Sequence, residues 1–262
     1  MKKTLYLLGF IALITSCQKV IDVDLNDANP VPVLEANYFA NDSTLRLQAN
    51  FTSNYFGSDA PQSIDNALVT IVDQFGAMTT VPFMSNGYYE LSGYAPQFNT
   101  TYTLSLTHNG TTYTSSCFLP DTITQLEPTY DFLPNGFFGS GPGYFLNLRY
   151  DDPAGLGDHT MAIYTYNDTV AFGVGEYMLN DDQLIDGNTL ERPFPGRFFL
   201  QGDSVVIDLR TIDPKVSEYY EQLTALSDPN SAAPANPDVL WTNDALGYFN
   251  CYGSSYRTIL LP

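Results

Sequence analysis

From Pro32 to Pro120 apolar and polar residues alternate in short runs, the period of strands with one buried face. Leu45, Leu47, Ala49 and Phe51 form one such run, and Ala67, Val69 and Ile71 form a second that leads into the turn Asp73-Gln74-Phe75-Gly76. Asn86-Gly87, a dipeptide suited to the positive φ angles of a two-residue hairpin, precedes the strand Tyr88-Tyr89-Glu90-Leu91. Tyr102, Leu104 and Leu106 alternate again and are closed by Asn109-Gly110 before Tyr113. Short strands separated by turn signals at this spacing predict a β-sandwich over residues 32–120.

Residues 121–143 are rich in Pro, Gly and Phe and read as a linker or a long exposed loop. A second β-rich domain is expected over residues 144–262, with strands at Phe145–Tyr150, Met161–Tyr166 and Ser204–Arg210. The period then changes. Val216, Tyr219, Tyr220 and Leu223 are spaced i, i+3, i+4, i+7, one face of a helix. Asp213 is placed to cap it and Pro214 to open it, which predicts a short helix near 214–227, ending before Pro229. The fold class is therefore mainly β, with an Ig-like sandwich followed by a β-rich domain carrying one helix. The order of strand, Gly turn, Asn-Gly-Tyr-Tyr, Tyr-x-Leu and Asn-Gly within 32–120 also resembles the transthyretin-like modules of carboxypeptidase regulatory domains, which are generally noncatalytic.

The first residues have a different pattern. Met1-Lys2-Lys3 is followed by an apolar run from Leu5 to Ile14. That run is shorter than the roughly 20 residues needed to cross a hydrocarbon core of about 30 Å, and it reads as the h-region of a secretory signal peptide over residues 1–16. Ile14-Thr15-Ser16-Cys17 resembles the lipobox of bacterial lipoproteins: an aliphatic residue, two small ones, and a cysteine whose thiol accepts a diacylglyceryl group. Cys17 is thus the expected lipidation site. Each buried methylene contributes about 0.8 kcal/mol to membrane affinity, so several acyl chains would hold the protein durably. Residues 17–31, with Asp22, Asp24 and Asp27 and no helical period, read as a lipidated tether.

Charge narrows the partners. Asp and Glu number 29 against 10 Lys and Arg, a net −19 that becomes −21 when Lys2 and Lys3 leave with the signal. Nucleic-acid binding depends on Lys and Arg neutralising phosphates, and docking on anionic lipid head groups needs the same sign; neither is expected. A solvated acidic surface and a basic partner both fit the charge. Hydrophobic content of 44% and aromatic content of 14% exclude a disordered chain.

Candidate chemistry is sparse. The chain has no Gly-x-Ser-x-Gly elbow, His-Glu-x-x-His pair, Cys-x-x-Cys motif or phosphate-binding Gly loop. No enzymatic activity, cofactor or metal site is expected from it. Asp151/Asp152 and Asp181/Asp182 flank turns, and neighbouring acids point in different directions, so turn capping is expected rather than a catalytic carboxylate pair. Calcium would favour such oxygen donors, but EF-hand spacing is lacking. Cys117 and Cys251, in a disulfide-permissive compartment, could pair or could serve as two buried thiols. In the Gly/Phe-rich segment from Asn135 to Tyr144, two roles fit: Phe137, Phe138 and Tyr144 form an exposed interaction loop, or the rings seal the junction between the β regions.

Five segments together resemble a family of Bacteroidetes lipoproteins carrying a domain of unknown function, often encoded beside TonB-dependent outer-membrane receptors. They are Cys17-Gln18-Lys19-Val20-Ile21-Asp22-Val23, Asp152-Pro153-Ala154, Asp181-Asp182-Gln183-Leu184-Ile185-Asp186-Gly187, Ile212-Asp213 with Tyr219-Tyr220, and Asn243 with Gly247-Tyr248-Phe249. The chain departs from the family pattern at Gly157-Asp158-His159-Thr160. The resemblance implies an outer-membrane location, with both leaflets, the cell surface included, open to Cys17, and an accessory or ligand-binding role beside a TonB-dependent receptor. A structural or adhesive surface lipoprotein is the alternative.

Overall fold

Period-2 burial is established in the first two strands. In β1 (Pro32–Phe39) and β2 (Thr44–Phe51) the alternate residues Leu34, Ala36, Tyr38 and Leu45, Leu47, Ala49 are all fully buried. The computed structural model describes residues 29–53, 60–136, 141–167, 169–171, 176–194, 198–227 and 236–262.

The strands that follow are β3 (Leu68–Asp73), β4 (Met78–Thr80), β5 (Phe83–Ser85), β6 (Tyr88–Ser92), β7 (Thr100–His108) and β8 (Thr111–Leu119). The turns between them are the expected ones. Asn86 and Gly87 hold φ of 48° and 71°, and Asn109 and Gly110 hold 49° and 81°. Positive φ at both central residues gives a hairpin turn whose twist matches its strands. Two sheets face each other here. One is a four-stranded sheet ordered β4-β3-β7-β8, and the other includes β1, β2, β6 and β5. Their inner faces form one core, with Tyr38, Leu47 and Tyr89 packed among Ile71, Leu104 and Leu119. Buried tyrosine hydroxyls find backbone acceptors, Tyr38 donating to Tyr94 O at 2.6 Å and Tyr89 to Ile64 O at 2.8 Å, as buried phenols require.

The second region holds β9 (Thr129–Leu133), β10 (Gly143–Asp151), β11 (His159–Tyr166), β12 (Thr169–Ala171), β13 (Met178–Asp181), β14 (Thr189–Pro193) and β15 (Ser204–Ile212). The helix α1 (Pro214–Ser227) follows, and the 15-residue β16 (Leu246–Leu260) closes the fold. A three-stranded sheet, β14-β10-β9, packs on β11 and β15 around Leu146, Tyr164, Phe199 and Ile207.

Two expectations change. Residues 121–143 are not wholly a linker, because β9 pairs with β10 and both Ile123 and Leu126 are buried in the second core. Their apolar side chains are scattered among Pro, Asp and Thr, so no period betrays them. The closing strand also does not belong to the second region alone. Leu246–Tyr252 runs parallel to β1, in register from Val33 to Phe39, while Gly253–Leu260 runs antiparallel to β15. One strand therefore closes both cores, and the large sheet runs continuously from β12 to β5.

Helix α1 forms where the period predicted it. Asp213 Oδ1 accepts the amide of Lys215 at 2.8 Å, capping the first turn. Val216, Tyr219 and Tyr220 are buried, and the Tyr219 and Tyr220 rings lie 5.6 and 5.3 Å from Tyr248 on β16. Burial pushes the Tyr219 hydroxyl up to about 12 and raises Tyr220 further, so both stay neutral. Among the described residues no helix is long and apolar enough to cross a membrane.

Candidate functional site

Strand β9 is the edge of its sheet, and an edge leaves side chains uncovered. Tyr144 on β10 sits directly opposite Phe132, with Tyr130 opposite Leu146 on the same face. The Tyr144 ring lies 5.7 Å from Tyr130 and 5.0 Å from Phe132. Leu146 is buried in the core, but Tyr130 and Phe132 remain 42% and 52% exposed. Tyr144 itself is tied down. Its backbone exchanges two hydrogen bonds with Phe199, and its hydroxyl donates to Pro262 O at 2.6 Å. Of the expected interaction loop, Tyr144 is thus the fixed base of an aromatic face, while Phe137 and Phe138 lie outside the described residues. The alternation that would have revealed Tyr130 and Phe132 was hidden in a stretch that reads as a linker.

At the opposite end of β10 the acidic turns meet. Asp151 Oδ1 accepts the Thr189 hydroxyl and Asp181 Oδ1 accepts the Gln183 amide at 3.1 Å. Their neighbours turn inward. Asp182 Oδ2 accepts the amides of Gly157 and Asp158 at 2.7 and 3.1 Å, and Asp152 Oδ2 accepts that of Gly187 at 3.2 Å. Capping is therefore what the four acids do individually. What the sequence spacing concealed is the convergence. Because β11 pairs with β13, with His159 opposite Asp181, Asp158 and Asp182 are carried to the same end of that pair. Asp152, Asp158 and Asp182 each place a carboxylate oxygen within 4.8 Å of the others.

Burial raises the pKa of Asp152, and the carboxylates of Asp158, Asp182 and Asp186 add to the effect against the opposing Gly187 bond. Burial likewise raises Asp158, reinforced by Asp182, Asp186 and Asp121 and opposed by His159. Such a trio can share a proton or accept a hard divalent cation, which prefers oxygen donors. A raised folded pKa means the native state binds the proton more tightly than the unfolded chain. The stability it contributes is complete below the unfolded value of about 3.9 and is lost as pH rises from there through the raised folded value. Asp158→Asn is therefore expected to raise the melting temperature at neutral pH, by about 2–4 °C for each ~1 kcal/mol relieved. It should also flatten the fall in melting temperature from acid to neutral pH. A neutral-pH melt unchanged or lowered would show that the Asp158 charge carries no such cost.

The cysteines, 134 residues apart, come together as free, fully buried thiols. The amide of Cys251 lies 3.0 Å from Cys117 Sγ, and burial, with the neighbouring Cys117, pushes the Cys251 thiol well above its usual range. The exposed edge of β8 is guarded nearby. Thr242 Oγ1 accepts the Thr114 amide at 2.9 Å and Asp213 Oδ2 accepts the Phe118 amide at 2.7 Å. Between these two ties lies a cleft of about 480 Å³, walled by Ser116, Lys215, Val216, Trp241 and Phe249.

These features belong to a mainly β chain of packed sheets with one helix among its described residues. The chain belongs to the family described as "Domain of unknown function (DUF4249)", whose model matches residues 18–257. No curated protein matches it. One solved structure, the tetra-tandem repeat in the extending region of a large adhesion protein, is similar at 10% identity and a TM-score of 0.21, covering 88% of this chain and 49% of that one. The chain thus spans about half the length of that solved chain, and so loose a superposition carries no argument about fold or function.

Proposed function

We propose that the protein is an outer-membrane lipoprotein, anchored through Cys17, that serves a TonB-dependent uptake system as an accessory or ligand-binding component. The anchor rests on Ile14-Thr15-Ser16-Cys17 at the end of an apolar segment. The observation that carries the binding role is the half-exposed pair Tyr130 and Phe132 on the edge strand β9, set against a fixed Tyr144 on β10. Large aromatic rings that a chain leaves uncovered but rigidly backed are the residues that contribute most at interfaces. The acidic remainder of the surface suits a partner with basic loops.

The test is affinity purification of the full chain from gently solubilised membranes. A receptor barrel should be recovered with the wild-type protein, and Tyr130→Ser with Phe132→Ser should lower that recovery at least about tenfold, the loss of roughly 1.4 kcal/mol of contact. Both side chains are exposed, so the double variant should fold as the wild type does. Cys17→Ser should release the chain from the membrane fraction. Repeated recovery of the lipidated chain without any barrel would overturn the uptake reading.

A further inference from the structure

We infer that Cys117 and Cys251 form a disulfide that stitches the two sheets of the N-terminal sandwich together. Cys117 lies on β8, the last strand of the four-stranded sheet, and Cys251 on β16 of the opposing one. Their direct strand partners are Tyr102 and Tyr38, and these two rings meet edge to face across the same gap, with centroids 5.2 Å apart. Two residues from each sheet therefore face each other in one layer of the core, one pair aromatic and one pair thiol. Cys117 Sγ reaches to within 3.0 Å of the Cys251 backbone nitrogen. A disulfide asks the sulfurs to approach to about 2.05 Å across facing Cβ atoms, which side-chain rotation between two strands held this close supplies.

The alternative occupant of the site, a pair of inert thiols, gains nothing from being paired. A small apolar side chain in either position would fill the same space. The oxidation needs a partner, and a small-molecule or protein disulfide provides it. The thiolate of one cysteine attacks that disulfide and releases one thiol; the second cysteine then attacks the mixed disulfide and releases the other. The two cysteines give up two protons and two electrons, and one disulfide becomes two thiols. Since both sulfurs are buried once the sandwich closes, the exchange belongs to folding rather than to the finished protein. None of this depends on which receptor or ligand the chain serves.

The test uses the full chain, reduced, unfolded and refolded in detergent with a mixture of reduced and oxidised glutathione. Free thiols are then alkylated, and the protein is digested with trypsin without reduction. Cleavage at Lys and Arg leaves Cys117 in residues 47–149, Cys251 in residues 216–257 and Cys17 in a separate fragment ending at Lys19. The expected result is that fragments 47–149 and 216–257 are linked in most refolded chains, and in few chains kept in urea with the same glutathione. Cys117→Ala should abolish the linkage. Separate alkylated fragments from the refolded wild type, or equal linkage with and without urea, would overturn the inference. The wild-type comparison decides the matter even if the alanine variant fails to fold.

Discussion

Gly247→Ala should be among the most damaging single-methyl changes at the described residues, lowering stability by about 4 kcal/mol or more. Two costs coincide there. Gly247 holds a φ of +98°, a region that costs an L residue about 1–2 kcal/mol. A Cβ at that position would also stand 2.2 Å from the Leu34 carbonyl oxygen and 2.8 Å from its carbon. Those are backbone atoms with nowhere to go. Leu34 is the register partner of Gly247 on one side and of Ala49 on the other, and its carbonyl also accepts the Trp241 indole at 3.0 Å. Relief would require breaking the parallel β1–β16 pairing, and β16 closes the second core as well. Loss should therefore be felt by the whole molecule. Trp241 is the single tryptophan and is buried, so its fluorescence reports the first core while far-ultraviolet circular dichroism reports both. Urea midpoints from the two probes should fall together. Gly76→Ala is the control, since it has a φ of +90° but nothing within 4 Å of its Cβ. It should show only the conformational cost. Equal midpoints for the two variants would mean that β16 does not lie against β1 in this register.

Gly247 also marks how far the sequence can be read. Local features were legible because each is written in a few neighbouring residues. The alternation of Leu45, Leu47 and Ala49, the Asn-Gly turns, and the Val216–Leu223 face of α1 all reappear as buried positions, hairpins and a helix. What could not be read is which strand lies beside which. Alternation states which face of a strand is buried and is silent about its neighbour. The parallel pairing of Val33 with Leu246 joins residues more than two hundred apart, and β9 was masked by the Pro and Gly around it. The same holds for the sites. The turn role of Asp182 could be anticipated from its place beside Gln183 and Gly187, whereas its approach to Asp152 and Asp158 is a product of the β11–β13 pairing. Cys117 and Cys251 are a further instance, because no spacing rule brings together two cysteines on opposing sheets.

Asp213→Ala should be nearly as damaging, at about 2–4 kcal/mol, because one buried carboxylate serves two elements. Its Oδ1 caps α1 through the Lys215 amide, worth about 1 kcal/mol. Its Oδ2 accepts the Phe118 amide on the edge of β8, and stranding that donor costs about 1–3 kcal/mol. The cap was legible from Asp213-Pro214; the tie to β8 was not, since Phe118 lies 95 residues away. Two further variants separate the roles. Asp213→Ser keeps a capping oxygen but cannot reach both partners, so it should recover only the cap. Asp213→Asn has one acceptor oxygen, and its amide group opposes whichever backbone donor it faces, so it should also fall between wild type and alanine. Urea midpoints give the order. Hydrogen exchange at the Phe118 amide gives the cause, and it should accelerate in the serine and alanine variants alike. A serine variant as stable as the wild type, with its Phe118 amide still protected, would remove the strand tie from the account. If the tie holds, its loss frees an unpaired stretch of β8 beside the cleft at Ser116, and an unguarded edge recruits foreign strands. The alanine variant should then aggregate on mild heating below its own unfolding midpoint, where the wild type stays monodisperse.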